Sequence, residues 1–536
     1  MHRLLARSAP ALLLACTALT AAAQDAPPYE RMTAAQLAAA FEDRTMTAED
    51  AARSALGLIE ARDGQLQAVL AVSPDALANA RALDAEEARR GPLHGVPILI
   101  KDNIETEDMP TTAGSYALLD NDTGRDAPAV AKLRDAGAVI LGKANLSEWA
   151  NFRSTDSISG WSGIGGQTRN PHSLNRTPCG SSSGSGAAVA AGYVPAALGS
   201  ETNGSVICPS AANGIVGFKP TVGMISRTHV VPISHTQDTI GPMTRSVADA
   251  ALLLSVMAGS DEADPATAEA DGHLPSATLE EDALEGLRVG VMRFAEGDDT
   301  RVSERFEAAL ETLKEQGAEL IEIEEWDAPD TLWADEFLVL QAEFKAGLNA
   351  YLADAAPQVE VRSLEELIAF NAQEAEEELP LFGQDILEDS QATGGLSDEE
   401  YKKALPRMLT AVRDNGIESL LAENEVDILV APTSGPAFLI DPVSGDHYEG
   451  GIGAGWMAAM AGTPHLTVPM GMVQGLPVGL SFFGAAWDDE RVLAAGADYE
   501  AASRKLTTPT FRADAFAAEE TKDALARDRS PFEGAR

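Results

Sequence analysis

The sequence predicts an α/β protein built on one large sheet, not a string of independent domains. Three observations carry that reading. Short apolar runs bounded by Gly and Pro alternate with segments of helical spacing over the first 150 residues. Runs of the same kind return after residue 425, beyond a long helical stretch, and no internal repeat divides the chain. Such alternation marks a layered α/β protein, and strands at both ends of the chain point to a shared sheet.

The elements follow in order. "TAAQLAAAF" and "TAEDAARSALGLIEARD" each open on a Thr cap and then place apolar residues at helical spacing. "VPILI" (96–100) is a continuous apolar run that reads as a buried strand. "AVILG" (138–142) is a second strand, with a helix before it and another after it. Gly and Ser dominate residues 160–217, where "AAVAAG" (187–192) reads as a short helix of very small residues. Acidic residues 259–288 read as a surface excursion, and "EGLRVGVMRF" as a strand. Residues 301–422 are Glu-rich and mostly helical, a layer or cap within the same domain. Strand signals come back in "VDILVAPT", "LTVPMG" and "PVGLSFFG", followed by the helix "ERVLAAGADYEAASR".

Apolar residues make up 45% of the chain and charged ones 23%, the balance of a globular protein with a large core. The formal charge of −44 argues against nucleic acid or an anionic membrane surface as partner, since both require basic patches. The first 23 residues stand apart. Arg3 and Arg7 precede an apolar stretch from Ala11 to Leu19, and Ala21 and Ala23 fit the small-x-small rule of a secretory signal cleaved after Ala23. This leaves residues 24–536 as the mature domain, in the periplasm or outside the cell. Cys16, at the end of "LLAC", offers a lipoprotein anchor as the lesser alternative. No later apolar run reaches the roughly 18 residues of a membrane span. Export permits a disulfide between the two remaining cysteines, Cys179 and Cys208. Both flank a Gly/Ser-rich segment where a small polarizable side chain packs well, so the expectation is two free, buried thiols. Sequence does not set connectivity.

The candidate chemistry centres on "CGSSSGSG" (179–186), which has the composition of a linker but adjoins the short helix. "GSSSG" matches the G-x-S-x-G elbow of α/β-hydrolases with Ser182 at its tip, although "NRTPCG" before it is no strand. "GAVILGKA" (137–144) approaches a phosphate loop, but its inner residues are strand formers and Ala144 replaces the needed hydroxyl. The eight histidines show no metal-ligand spacing. A serine without a histidine partner can be activated by a neutral lysine, and Lys101 ends the strand "VPILI". Burial would lower its pKa by disfavouring the charged form; a snorkelling strand-end lysine is the plain alternative.

"GPLHGVPILIKDNI", "CGSSSGSGAAVAAG", "GSETNGSVICPSAANGIVGFKPTVG" and "DTIGPMTRSVADAALLL" together resemble, in order, the core motifs of the amidase signature family, over about residues 30–505. "NLSEWANFRSTDSISGWSGIGGQTRNP" and "RTHVVPISHTQDTIGPM" look most similar to bacterial peptide amidases. The resemblance implies a mixed central sheet covered by helices on both faces and a metal-free, cofactor-free serine hydrolase acting on linear amides. It further implies a Ser-cisSer-Lys triad, with Ser205 as nucleophile, Ser181 as bridge on a cis peptide bond and Lys101 as base. The oxyanion hole falls on the backbone of Thr202, Asn203, Gly204 and Ser205. Asn203 stands where many members have Gly, and Ile207 and Cys208 stand where many carry Arg. Without that Arg, an acidic acyl group is a poor fit and a neutral or peptide-like one is favoured. Asp102, Asn145 and Glu148 would orient neighbouring loops, and Asp238 and Arg245 would brace the site. The competing readings are an esterase using Ser182 with a late histidine such as His465, an exported binding protein on the same fold, and a tRNA amidotransferase subunit. The intact Lys101, Ser181 and Ser205 argue against the binding protein. Export and the missing Arg argue against the amidotransferase subunit.

Overall fold

The computed structural model describes residues 27–448 and 450–518. Residues 1–23, which the sequence reads as a secretory signal, and with them Cys16 lie outside the described residues. Eleven strands form the central sheet: β1 (Val69–Val72), β2 (Pro97–Lys101), β3 (Val139–Ala144), β4 (Ala196–Glu201), β5 (Val216–Lys219), β6 (Thr239–Thr244), β7 (Arg288–Met292), β8 (Glu319–Ile323), β9 (Ile428–Pro432), β10 (His465–Val473) and β11 (Leu476–Phe483). Their spatial order is β1-β3-β2-β4-β6-β5-β10-β11-β9-β7-β8. The sheet is mixed: β3, β2 and β4 run parallel, as do β9, β7 and β8, and antiparallel pairs join the two groups. The first and last thirds of the chain thus share one sheet.

Both faces of the sheet are covered, and this is why the central strands read as unbroken apolar runs. Ile98, Ile100, Ile140 and Leu198 face a core shared with helices Ala34–Glu42, Pro128–Asp135 and Val247–Met257. Leu99, Val139, Leu141 and Ala197 face the opposite way, towards helices Ala48–Leu66, Ala76–Asp84 and Ser183–Ala190. Thr33 and Thr47 cap the first two helices with full capping boxes, as the sequence predicts.

The region 301–422 is mostly helical but serves two purposes. Helix Thr300–Glu315 packs on the sheet through Val302, Phe306 and Leu310. The helices from Leu332–Ala353 to Glu418–Glu423 form the cap. Between them runs β8, an edge strand that pairs parallel with β7 and that its Glu-rich sequence conceals.

Register sets the position of the site. Ile98, Leu99 and Ile100 pair with Ala196, Ala197 and Leu198, and Lys101 pairs with Ala144. The C-terminal ends of β2, β3 and β4 therefore lie side by side, the edge of an open α/β sheet where ligands characteristically bind.

Candidate active site

Lys101 is the last residue of β2 and is fully buried. Its Nζ lies 2.7 Å from Ser181 Oγ, 3.0 Å from Ser200 Oγ and 3.1 Å from the Ser200 carbonyl. Asn103 Nδ2 donates to the same Ser200 hydroxyl at 2.9 Å and fixes it. Burial lowers the Lys101 pKa to about 7, against the smaller opposing pull of Asp238 and Glu201. The amine is therefore substantially neutral near neutral pH.

The Gly/Ser stretch wraps around this amine. The Gly180–Ser181 peptide bond is cis. A Cβ on Gly180 would come within 2.3 Å of Ser147 Oγ and 2.8 Å of Asn151 Oδ1, so only glycine fits. The Ser181 carbonyl accepts from Ser147 N at 3.1 Å. The neighbouring hydroxyls tie down backbone: Ser183 Oγ donates to Cys179 O at 2.7 Å, and Ser185 Oγ to Leu198 O at 2.8 Å. Ser182 Oγ donates to Ser200 O at 3.2 Å and accepts from Ser200 N at 3.3 Å. His465, the late histidine of the esterase reading, is engaged elsewhere: its Nε2 is 2.7 Å from Ser481 Oγ, and its ring stacks on Phe483.

Ser205 follows β4 in the turn 202–205. Ser182 N donates to the Ser205 carbonyl at 3.1 Å, which holds the two serine loops together. Gly204 has φ +85°, the left-handed region that favours glycine, and a Cβ there would face open space. Among the described residues, the amide N–H groups of Asn203, Gly204 and Ser205 have no acceptor, and Ser205 Oγ has no hydrogen-bond partner. Asn203 and Gly204 are partly exposed, so these donors are open to a ligand oxygen in place of water. Behind the turn, Glu201 Oε2 accepts from Val206 N at 2.8 Å and Ile207 N at 3.0 Å.

A lysine of lowered pKa on a serine held by a cis bond, with a second serine in a turn of free N–H donors, is the arrangement that the amidase resemblance implies. The Amidase family model matches residues 50–493. The chain belongs to the amidase family. It is similar to a probable amidase of Arabidopsis thaliana, 37% identical over 500 residues, with 90% of this chain and 92% of the relative covered. Among solved structures, it is similar to the native peptide amidase from Stenotrophomonas maltophilia at 43% identity and TM-score 0.84, covering 90% of this chain and 99% of that one. A structure of the peptide amidase PAM with the competitive inhibitor chymostatin matches at 44% identity and TM-score 0.85, covering 90% and 100%. The protein is an amidase, an enzyme of serine-dependent amide hydrolysis.

In this amidase Cys179 and Cys208 are bridged, which corrects the expectation of free thiols. The fold brings their Cα atoms to 5.8 Å, inside the range a disulfide spans, although 29 residues separate them. The bond ties the loop of Ser181 to the helix that begins two residues after Ser205.

The supporting residues divide. Asp238 reaches the site: it accepts from Thr202 Oγ1 at 2.6 Å and from Ile233 N and Ser234 N at 2.8 and 2.9 Å, so it anchors the turn 202–205. Asp102 faces away, pairing with Lys143 at 3.4 Å and accepting from Thr112. Asn145 Nδ2 donates to Thr168 Oγ1 at 3.0 Å and to the carbonyls of Gln67 and Gly166. Glu148 pairs with Arg153 and accepts from Gly163 N. Arg245 Nη1 donates to Val189 O at 3.3 Å, near the end of the small-residue helix.

Four site residues escape the sequence reading: Asn103, Ser200, Glu201 and Glu336. Glu336 comes from the cap helix Leu332–Ala353, and its Oε1 accepts from Asn203 Nδ2 at 2.7 Å and Gln237 Nε2 at 3.2 Å. It thereby steadies the residue that departs from the usual glycine. Burial pushes its carboxyl above the ordinary range, opposed by those two amide donors. Nothing in the local sequence separates Glu336 from the many surface glutamates around it. Among the described residues, no group of His, Cys, Asp and Glu is placed to hold a metal ion, and no helix is long and apolar enough to cross a membrane.

Proposed function

We propose that this amidase hydrolyses the C-terminal carboxamide of peptides to the free acid and ammonia. The observation that carries the chemistry is the buried Lys101 amine, 2.7 Å from Ser181 Oγ. Neutral Nζ takes the Ser181 proton as Ser181 takes that of Ser205, and Ser205 Oγ attacks the carboxamide carbon. The unpaired N–H groups of residues 203–205 receive the oxyanion; one such donor is typically worth about 2.7–4 kcal/mol. The carbon–nitrogen bond breaks as the proton returns through Ser181 to the departing nitrogen. Water then attacks the Ser205 ester, giving its proton to the same relay, and the acid leaves.

The peptide-amide assignment draws support from the similarity to peptide amidases and from Ile207 and Cys208, which leave no cation there to clamp a substrate carboxylate. Residues 1–23 read as an export signal, so the enzyme acts in the periplasm or outside the cell. The Cys179–Cys208 bond supports that reading, because disulfides persist in oxidising compartments. The test is turnover of a panel of peptide amides, fatty amides, aryl acylamides and esters, with Ser205→Ala as the blank. Peptide amides should lead in kcat/KM. A panel led by fatty or aryl amides would sink the assignment.

A further inference from the structure

A small pocket lies between the two serine loops and residues 434–438, Tyr448 and Ile452, with a volume of about 120 Å³. The Cys179–Cys208 disulfide forms one wall, and Ala212 and Ala437 pack against it. Phe438 and Tyr448 close the other side, their rings meeting edge to face at 4.9 Å. No Lys, Arg, Asp, Glu or His lines it. The Tyr448 hydroxyl lies 3.3 Å from Asp446 Oδ2, 3.4 Å from Ser159 Oγ and 3.7 Å from Cys179 Sγ, at the edge of the disulfide wall.

The pocket is next to the chemistry. Cys179 is two residues before Ser181. Cys208 is three residues after Ser205, and its N–H donates to the Gly204 carbonyl at 2.8 Å. The disulfide wall of the pocket is thus continuous in the chain with both serine loops. We propose that the pocket receives the side chain of the residue whose carboxamide is cleaved, and that it selects uncharged aliphatic side chains of three or four carbons. This rests on the peptide-amide reading.

Size and polarity set the selection. Water occupies about 30 Å³ per molecule, and a dry cavity that takes benzene measures about 150 Å³. A volume near 120 Å³ thus suits valine, leucine or isoleucine and is tight for phenylalanine. A charged side chain would lose its hydration without a counter-charge.

The experiment measures kcat/KM for N-acetyl amides of Gly, Ala, Val, Leu, Phe and Asp with the wild type, Phe438→Ala and Ala212→Leu. Each series is scaled to the glycine amide in the same variant. Each buried methylene is worth about fourfold, so leucine should exceed alanine by about 10- to 60-fold in the wild type, with aspartate last. Phe438→Ala should move the optimum to phenylalanine. Ala212→Leu should cut the leucine advantage to about threefold or less. Phe438 is partly exposed and its replacement leaves the core intact, so this variant decides alone should Ala212→Leu not fold. A flat wild-type series, or the same order of preference in wild type and Phe438→Ala, overturns the pocket assignment. Failure of the whole series beside good turnover of fatty or aryl amides overturns the peptide-amide reading instead.

Discussion

Replacing Lys101 by methionine separates two consequences of one buried amine. Burial carries the Lys101 pKa from 10.5 to about 7. At pH 8 an amine of pKa near 7 is about 90% neutral, whereas an ordinary lysine would be about 0.3% neutral, so burial supplies roughly a 300-fold larger population of the base. The kcat/KM of the wild type should therefore rise about tenfold per pH unit below pH 7 and level off above pH 8. Lys101→Met should lose this limb along with a factor of about 10³ or more, near the upper range for general bases. Stability moves the other way. The unfolded chain holds the proton up to about pH 10.5 and the native site only to about 7, so the cost is complete below pH 7 and fades as pH rises to 10.5. The shift corresponds to about 5 kcal/mol at its upper limit. Methionine also leaves the Ser181 hydroxyl without its partner and takes one of two partners from the Ser200 hydroxyl, a loss that does not depend on pH. The difference in unfolding free energy between mutant and wild type should thus fall by several kcal/mol from pH 6 to pH 10. The assays are a pH–rate profile on one peptide amide and urea unfolding at both pH values. An active mutant with the wild-type limb, or a stability difference that does not change with pH, would refute the account of Lys101 as a buried base.

Three further outcomes are expected. Ser205→Ala should abolish turnover, while Ser182→Ala, which removes only bonds to the Ser200 backbone, should keep activity within about tenfold, as the loss of about 1 kcal/mol allows; steady-state kinetics of the two variants decide this. Replacing both Cys179 and Cys208 by serine opens a loop of 29 residues and should cost about 3–4 kcal/mol, read by chemical unfolding. Mass spectrometry of the protein from its native host should find Gln24 at the amino terminus; an intact Met1 or a lipid on Cys16 would contradict simple secretion.

Much of the fold is legible wherever strands are apolar, as in "VPILI", "AVILG" and "VDILVAPT", which became β2, β3 and β9. β4 is not, because "AALGSE" has a single large apolar side chain, Leu198; the rest is buried by close packing, with Ser182 Oγ 2.7 Å from where a Cβ on Gly199 would stand. β6 hides behind Pro242, which argues against an inner strand. β5 pairs with β6 only at Met243 and Thr244, so the ladder between them stops before Pro242. The proposed triad is reachable through ordered motifs, since Lys101, Ser181 and Ser205 each lie in one. Glu336 and the disulfide are not, because both depend on which segments meet across long separations.

The stretch "CGSSSGSG" has the make-up of a flexible connector, yet it is packed against backbone on nearly every side. A Cβ at Gly184 would come within 2.2 Å of Ala68 O and 2.5 Å of Asn145 O, and one at Gly186 within 3.0 Å of Pro209 O. Ser182, Ser183 and Ser185 give their hydroxyls to nearby carbonyls. Smallness here is a fitting tolerance rather than a licence to move. A saturation library would find its lowest acceptance in this segment, and low complexity in the sequence would coincide with the highest information content in the molecule. A purely compositional filter would discard the very residues that locate the catalytic centre.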